Sequence, residues 1–474
     1  MKRPRIAACW FLTIALVWTS SAVRADVRLP HVFSDHMVLQ RDKPIPVWGW
    51  DDPGAKVVVQ LGDAKAEAKA DANGRWSVQL PARAAGGPLE LTVKGTTEAV
   101  FDDVLVGEVW LCSGQSNMEW PVSRAMNAQQ EIAAANYPRI RHIKIPHRPA
   151  DKPQDDVPSD GWQVCSPKTV GAFTAVGYFF ARHLHKELDG VPIGLIGSNW
   201  GGTRIEPWTP PEGFKQVPAL KNIADRLDQF PEKRGDRIVH QSPLALYYGM
   251  IHPLIPYGIR GALWYQGESN NGEGMLYHEK MKALIYGWRT VWNMPEMPFY
   301  FVQLAPFRYR GNPLALPGIW EAQLATLRKV PHTGMVVTVD IATVNNIHPP
   351  NKQEVGRRLA LWALAKTYGR KGIVYSGPLY REHKREGHAI RIFFDHVGSG
   401  LVSRDGKPLT HFQIAGADKT FHDAKAEIDG ETVVVSSPEV PEPVAVRFAW
   451  HQEAQPNLSN KEGLPASPFR TDSW

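Results

Sequence analysis

Four short polar segments of this 474-residue chain carry residue types that can catalyse acyl transfer. The first is GQSNM at residues 114–118, directly after an apolar run. A serine on a tight turn between a strand and a helix has an exposed hydroxyl, and the backbone N–H groups of the turn can bind an oxyanion. Position 118 is Met where a GxSxG elbow needs glycine, so that motif is excluded. Ser116 is therefore a candidate nucleophile, with a turn-forming or helix-capping serine as the alternative.

Two further segments contain candidate oxyanion donors. Gly201 and Gly202 follow another apolar strand, and paired glycines let the backbone approach a ligand closely. In the segment WYQGESN, Gln266 or Asn270 could donate an amide N–H, and Glu268 could orient that donor or a substrate hydroxyl. The alternatives are an ordinary turn for the glycines and a surface ion pair for Glu268.

The fourth segment, NNIHPPN at residues 345–351, contains a candidate general base. His348 lies at the entrance of a predicted helix, and the two prolines after it restrict the backbone, as a general base requires. A serine needs such a base at neutral pH because its hydroxyl is a weak nucleophile. His252 in the sequence IHP is the rival, but it precedes a strand instead of following one. A structural role for either histidine is the alternative.

The elements that must position these segments alternate along the chain. Five apolar runs have the composition of buried strands, at residues 108–112, 193–197, 260–264, 299–303 and 335–339. Helical spacing between residues 173 and 188 predicts a helix that ends at Asp189-Gly190. A second helix is predicted from Asn351, with Glu354 completing a capping box. The alternation predicts an α/β fold, a parallel sheet flanked by helices with the site beyond its strands' carboxyl ends.

Regions rich in short strands flank this predicted core. Residues 26–104 show short apolar runs separated by turn signals such as Asp52-Pro53-Gly54, which predicts a small N-terminal β-sandwich. Residues 105–376 form the predicted catalytic α/β domain. Residues 377–474 return to strand patterns and are predicted to be a C-terminal β-rich region.

Residues 1–25 have the pattern of a secretory signal peptide, with a basic start, an apolar stretch and small residues before the predicted cleavage point. A retained anchor is the alternative, although the stretch is shorter than the ~20 apolar residues that span a bilayer. Its removal takes away four basic residues and lowers the formal charge from +6 to +2. We therefore expect a secreted or periplasmic protein without stable membrane insertion after cleavage and without nucleic acid as a partner.

The remaining cysteines and motifs limit cofactor chemistry. Cys112 and Cys165 are one possible disulfide or two buried thiols. The sequence contains no HExxH, CxxC or EF-hand motif, so no metal and no cofactor are predicted.

Four blocks, in this order, resemble those of sialate O-acetylesterases, which are members of the SGNH hydrolase superfamily. The blocks are GEVWLCSGQSNMEWP, GLIGSNWGGTRIEPW, IRGALWYQGESN and IHPPNKQEVGRRLALWALAKTYG. The resemblance covers nearly the whole chain after the signal peptide. It implies an SGNH-hydrolase-like fold in which Ser116 is the nucleophile and His348 the base. It also implies that Gly202 or Gly201, together with Gln266, donates to the oxyanion beside the Ser116 N–H.

The third member of a catalytic triad is the point at which this sequence departs from the resemblance. Many SGNH enzymes carry the acid three residues before the histidine, and Asn345 occupies that position here. Three alternatives remain open: Asp340 reaches His348, a carbonyl or asparagine orients the ring, or serine and histidine work as a dyad.

The resemblance implies a serine esterase that removes O-acetyl groups from a carbohydrate, with O-acetylated sialic acid as the expected substrate, and the pattern of residues 1–25 predicts its export. One alternative is an acetylesterase of xylan or another plant polysaccharide. Another alternative, suggested by the flanking β-rich regions and the 17 tryptophans, is a non-catalytic glycan-binding protein. The sugar, the acetyl position and the oligomeric state are left open by the sequence.

Overall fold

The computed structural model describes residues 26–474, so the predicted signal peptide lies outside the described residues. The N-terminal strands are β1 (Val38–Gln40), β2 (Ile45–Trp50), β3 (Lys56–Leu61), β4 (Ala64–Lys69), β5 (Arg75–Leu80), β6 (Gly86–Lys94) and β7 (Glu98–Gly114). Strand β3 pairs antiparallel with β4 and β6, β6 pairs with the first part of β7, and β2 pairs with β5. Because β7 continues into the central sheet, one strand joins the N-terminal region to the α/β core.

Strands and helices alternate through the middle of the chain. The strands are β8 (Tyr137–Lys144), β9 (Trp162–Cys165), β10 (Ile193–Asn199), β11 (Lys233–Arg234), β12 (Arg237–Ile238), β13 (Gly261–Tyr265), β14 (Phe299–Val302) and β15 (Thr333–Val336). The helices are α1 (Ser116–Glu119), α2 (Ala128–Ala133), α3 (Ala175–Glu187), α4 (Pro211–Gln216), α5 (Lys221–Ala224), α6 (Leu276–Val291), α7 (Ala315–Lys329) and α8 (Lys352–Trp362).

The central sheet has the strand order β15-β14-β13-β7-β10-β8-β9. Every neighbouring pair is parallel except β8–β9, which is antiparallel at one edge. Every residue of β10, β13, β14 and β15 is buried, as expected for strands covered by helices on both faces. The predicted α/β fold is therefore confirmed. The chain occupies one side of β7 first and the other side afterwards, so the crevice for a ligand is expected beyond the end of β7.

The two helices predicted from sequence differ in how closely they match their expected ends. Helix α3 ends before Asp189 and Gly190, whose φ angles are +56° and +79°. At the start of α8, the Asn351 side chain accepts a hydrogen bond from the Glu354 N–H, as predicted. The Glu354 carboxylate does not complete the capping box, because it binds the guanidinium groups of Arg357 and Arg358.

The C-terminal region consists of short strands, which confirms the prediction of a β-rich end. They are β16 (Leu379–Glu386), β17 (Ala389–Asp395), β18 (Leu401–Ser403), β19 (Phe412–Ala415), β20 (Phe421–Asp423), β21 (Lys425–Asp429), β22 (Thr432–Ser436), β23 (Ala445–Phe448), β24 (Leu458–Asn460) and β25 (Phe469–Arg470). Two antiparallel sheets, β16-β17-β22-β21 and β20-β19-β23-β25, enclose a hydrophobic core of their own. The N-terminal strands instead share one core with the central sheet.

The structure also answers two questions about the sequence, the state of the two cysteines and the presence of a membrane-spanning helix. Cys112 and Cys165 are both free and buried, and burial raises the pKa of the Cys165 thiol to about 11. The alternative of two buried thiols is therefore the one that the structure shows. Across residues 26–474, no helix has both the length and the apolar character needed to cross a membrane.

Candidate active site

The nucleophile candidate and the base candidate meet beyond the end of β7. Ser116 is the first residue of α1, and its Oγ lies 2.8 Å from Nε2 of His348. The turn before it needs glycine, because Gly114 has a φ of +134° and a Cβ there would lie 2.2 Å from the Tyr265 carbonyl oxygen. The structure thus brings together two residues that are 232 positions apart in the sequence.

The environment of His348 favours its neutral form. Its half-buried ring stacks on Trp120 with centroids 4.5 Å apart, and its backbone N–H donates to Oδ1 of Asn346 over 3.0 Å. Burial lowers the pKa of His348, and the positive charges of Lys352 and Arg124 lower it further. A neutral imidazole can accept the proton of the Ser116 hydroxyl, which is what a general base must do.

Neither residue considered for the third triad position contacts the imidazole. The carboxylate of Asp340 forms a two-pronged ion pair with Arg358, with N–O distances of 2.8 and 2.6 Å. Asn345 is exposed and forms no hydrogen bond with any residue that the structure describes. Nδ1 of His348 likewise has no hydrogen-bond partner among residues 26–474. In this geometry Ser116 and His348 form a pair without a carboxylate.

Gly201 lies beside the serine, and Gly202 follows it in the chain. A Cβ on Gly201 would be 3.2 Å from the Ser116 Cβ, so a larger residue there would crowd the nucleophile. The Gly201 N–H donates to Glu119 over 2.7 Å, whereas the N–H groups of Gly202 and Ser116 donate no hydrogen bond within residues 26–474. These two free N–H groups are the backbone donors that an oxyanion could use.

Glu119 connects this side of the site to a wider polar group. Its carboxylate accepts hydrogen bonds from Lys144 over 3.0 Å and from His147 over 2.8 Å. Burial opposes ionisation, but the His147 and Lys144 contacts outweigh it and hold the pKa of Glu119 at about 2. Glu119 is thus an anion that fixes the peptide of Gly201.

Gln266 and Asn270 are positioned differently from the expected oxyanion donors. Gln266 is fully buried, and its amide donates to the Thr203 carbonyl over 3.0 Å and to Oδ1 of Asn270 over 2.8 Å. The amide of Asn270 donates to two carboxylates, those of Glu206 and Glu273. The amide N–H groups of both side chains therefore already donate to other protein groups, and neither side chain donates to Ser116.

Glu268 lies with two residues that the sequence analysis did not identify. Its Oε1 accepts a hydrogen bond from the Asn117 amide over 2.6 Å, and its Oε2 is buried without a hydrogen-bond partner among residues 26–474. Lys352, fully buried at the start of α8, donates to Oδ1 of Asn117. A lysine in the first turn of a helix is usually solvated, so no local signal marks Lys352. Asn117 could have been suspected because it follows the nucleophile directly.

The rival base and the tryptophans are placed as follows. Nδ1 of His252 bonds the Gln154 carbonyl over 2.8 Å, and this histidine does not contact Ser116. Five tryptophans lie in or next to the four polar segments. Three of them are core residues, Trp110, Trp208 and Trp264, whereas Trp120 and Trp200 are partly exposed at the site.

An aromatic stack lies on the Glu119 side of the serine. The Trp200 ring is stacked between His147, 4.3 Å away, and His240, 4.7 Å away. A cavity of about 770 Å³ is lined by Lys144, which binds Glu119, and by Gln163 and Lys168, but neither Ser116 nor His348 lines it. Aromatic rings with polar neighbours suit the alternating apolar and hydroxylated faces of a sugar. In the part of the chain that the structure describes, no three His, Cys, Asp or Glu side chains are grouped to hold a metal ion.

Comparison with known proteins finds carbohydrate esterases. The family described as carbohydrate esterase, sialic acid-specific acetylesterase, matches residues 106–365, more than half of the chain. The sialate O-acetylesterases of Homo sapiens and Pongo abelii are 33% and 32% identical over 405 residues, covering 77% of this chain and 75% of each relative. A solved carbohydrate acetylesterase from Xanthomonas citri is 42% identical, with a TM-score of 0.87, and covers 95% of this chain and 100% of its own.

Proposed function

Because this chain belongs to the carbohydrate esterase family of sialic acid-specific acetylesterases, and is an esterase, we propose that it removes O-acetyl groups from sialic acid. The single observation that carries the catalytic proposal is the 2.8 Å hydrogen bond between Ser116 Oγ and His348 Nε2. A nucleophile and base within this distance are the minimum that acyl transfer through an acyl-enzyme requires.

The proposed reaction proceeds in two halves. Nε2 of His348 accepts the Ser116 proton while Oγ attacks the acetyl carbonyl carbon. The tetrahedral intermediate then expels the sugar alkoxide, which takes the proton from the imidazolium and leaves acetyl-Ser116. Water, deprotonated by the same histidine, attacks this ester and releases acetate and the free serine.

Two backbone groups are proposed to bind the oxyanion. The N–H groups of Ser116 and Gly202 are free to donate, and the neighbouring Gly201 peptide is held by Glu119. Gln266 is proposed to act through the Thr203 carbonyl, which its amide binds, and thereby to support the loop that presents Gly202. Loss of one oxyanion donor lowers kcat by about 10²–10³-fold, so disturbance of this loop is expected to slow turnover.

The choice of sugar has a second candidate, another acetylated carbohydrate such as xylan. The observation that favours it is the Xanthomonas citri carbohydrate acetylesterase, which is more similar to this chain than the sialate O-acetylesterases named above. The same pair of serine and histidine would hydrolyse either ester, because the chemistry involves only the acetyl group.

Acetate release from O-acetylated sialic acid and acetylated xylan, by wild type and Ser116→Ala in parallel, tests the proposal. Release from the sialic acid that disappears in the variant supports the whole proposal. Release from xylan alone keeps the mechanism and replaces the substrate. Equal release by both proteins would contradict the role of Ser116.

Export is proposed on the composition of residues 1–25 alone, with the mature protein secreted or periplasmic. N-terminal sequencing of the protein recovered from its producing cells tests this. A mature chain that starts near residue 26 supports export, whereas recovery of the intact chain from the cytoplasm contradicts it.

A further inference from the structure

Asn117 lies where three of the polar segments meet. It directly follows Ser116 on α1, and its side chain is 98% buried. Its amide nitrogen donates to the carbonyl of Ile347 over 2.9 Å, and Ile347 is the residue directly before His348. One side chain thus connects the peptide next to the nucleophile with the peptide next to the base.

The direction of this amide is fixed by its neighbours. When protonated, Lys352 Nζ can only donate, so Oδ1 of Asn117 faces the ammonium. The Glu268 carboxylate and the Ile347 carbonyl oxygen only accept, so they must face the amide nitrogen. A flipped amide would meet an ammonium with its N–H groups and two acceptors with its oxygen. All three contacts would then be repulsive, so the amide has one stable orientation.

The charged groups of Lys352 and Glu268 are buried, and burial disfavours the ionised form of each. The Lys352 ammonium is buried above the ring of Tyr265, 5.1 Å from its centroid, and burial lowers its pKa to about 7 despite the nearby Glu268 charge. Burial raises the pKa of Glu268, partly opposed by a backbone hydrogen bond, by the hydrogen bond from Asn117 and by the Lys352 charge. Apolar side chains of similar volume would fill this space without that desolvation cost. A functional role therefore explains the presence of these polar side chains better than a contribution to stability does.

We propose that Asn117, oriented by Glu268 and Lys352, is a positioning residue that fixes the Ile347–His348 peptide against α1 and so sets the distance between Ser116 Oγ and His348 Nε2. The inference rests on the proposed function of that pair. It assigns to a backbone tether the task that a carboxylate on Nδ1 performs in a complete triad. Asn117, Glu268 and Lys352 form no hydrogen bond with the Ser116 hydroxyl or the His348 ring, so their effect on the distance between these two groups is indirect.

The first test compares Asn117→Ala with wild type on a small acetyl ester such as 4-nitrophenyl acetate. A misplacement of about 1 Å in the reacting groups costs about 10²-fold in rate. We therefore expect kcat to fall roughly 10–100-fold while KM for this small ester stays within about twofold, because the tether does not touch the substrate. A folded variant with wild-type kcat overturns the proposal.

The second test uses two substitutions of Glu268. Glu268→Gln keeps an oxygen that accepts from Asn117, whereas Glu268→Leu removes it. We expect Glu268→Gln to retain most of the wild-type kcat and Glu268→Leu to lose about as much as Asn117→Ala. Equal kcat values in the two variants overturn the proposal. This pair also decides the matter if Asn117→Ala does not fold, because both changes leave Asn117 in place.

Asn457→Ala is the matched control for a loss that is merely structural. Asn457 is equally buried, at 3% exposure, and its amide donates to three acceptors within the C-terminal region. We expect this variant to lower the melting temperature without changing kcat or the pH profile. A fall in kcat as large as that of Asn117→Ala would show that general destabilisation suffices and would overturn the proposal. Failure of wild type to hydrolyse any acetyl ester would instead refute the proposed function.

Discussion

The turn that carries the nucleophile and the loop that carries the base are held in opposite ways. Ser116 is held mainly by its own turn, in which the N–H groups of Met118 and Glu119 bond the Gln115 carbonyl. His348 lies on a longer loop after β15, and its restraints include Trp120 and the distant Asn117. The nucleophile is therefore positioned mainly by local sequence, and the base is positioned by the assembled fold.

The largest expected effect is on the locally held side. Ser116→Ala removes the nucleophile without disturbing the turn, and we expect kcat for acetyl ester hydrolysis to fall on the order of 10⁴–10⁶-fold. Initial rates on an acetylated sugar, with circular dichroism as the check on folding, measure this. Retention of more than a tenth of the wild-type rate would contradict the assignment.

Removal of the base is expected to have the next largest effect. His348→Ala leaves the serine in place but without a proton acceptor, so kcat should fall about 10²–10⁴-fold. His252→Ala is the matched control, because that histidine bonds the Gln154 carbonyl and not Ser116. Comparable losses in the two variants, measured by acetate release, would show that the geometry has been assigned to the wrong histidine.

Asp340 separates stability from catalysis. Asp340→Asn removes one of the two carboxylates that bind the buried Arg358. We expect the free energy of unfolding to fall by only roughly 2–3 kcal/mol, because Glu354 still binds the guanidinium. The kcat of the folded variant should stay within about threefold of wild type, because a true triad acid is worth about 10⁴-fold. Urea unfolding and steady-state kinetics measure the two quantities. A loss of kcat near that size would restore Asp340 to the triad.

The smallest expected effect is a shift of the pH profile. Because the folded pKa of His348 is lowered, kcat/KM should rise with pH through an apparent pKa below 6.5 and be complete by neutral pH. Arg124→Gln removes one of the positive charges that lower this pKa, so the acidic limb should move to higher pH by less than about one unit. A limb that stays in place, or moves to lower pH, would contradict the sign of this influence.

The parts that sequence predicts well are those whose causes are local. The buried strands of the central sheet and the end of α3 before Asp189-Gly190 follow from short apolar runs and turn chemistry. Helices α6 and α7 were not identified, and their sequences explain why. The inner face of α6 buries His278, Lys280 and Arg289, which breaks the apolar repeat. Helix α7 carries Pro-Gly in its first turn, a pair that normally indicates a break.

The candidate site also has one part that the sequence predicts and one part that depends on distant residues. The motif order identifies Ser116, His348 and the glycines, because Ser116 and the glycines closely follow strand ends and His348 lies on the loop between β15 and α8. The surroundings of these residues depend on partners far away in sequence, which spacing does not reveal. Thr203 and Asn270 occupy the Gln266 amide, Arg358 occupies Asp340, and Lys352 completes the group around Asn117. These competing hydrogen bonds decide which side chains remain available for chemistry.

Mapping a covalent adduct is the sharpest test of Ser116 as the nucleophile. The wild-type protein would be treated with a serine-reactive organophosphonate, and the modified peptide would be located by mass spectrometry alongside residual esterase activity. We expect an adduct on Ser116 whose formation parallels the loss of activity, and no adduct in Ser116→Ala. Full inactivation with the adduct on a different residue would contradict it.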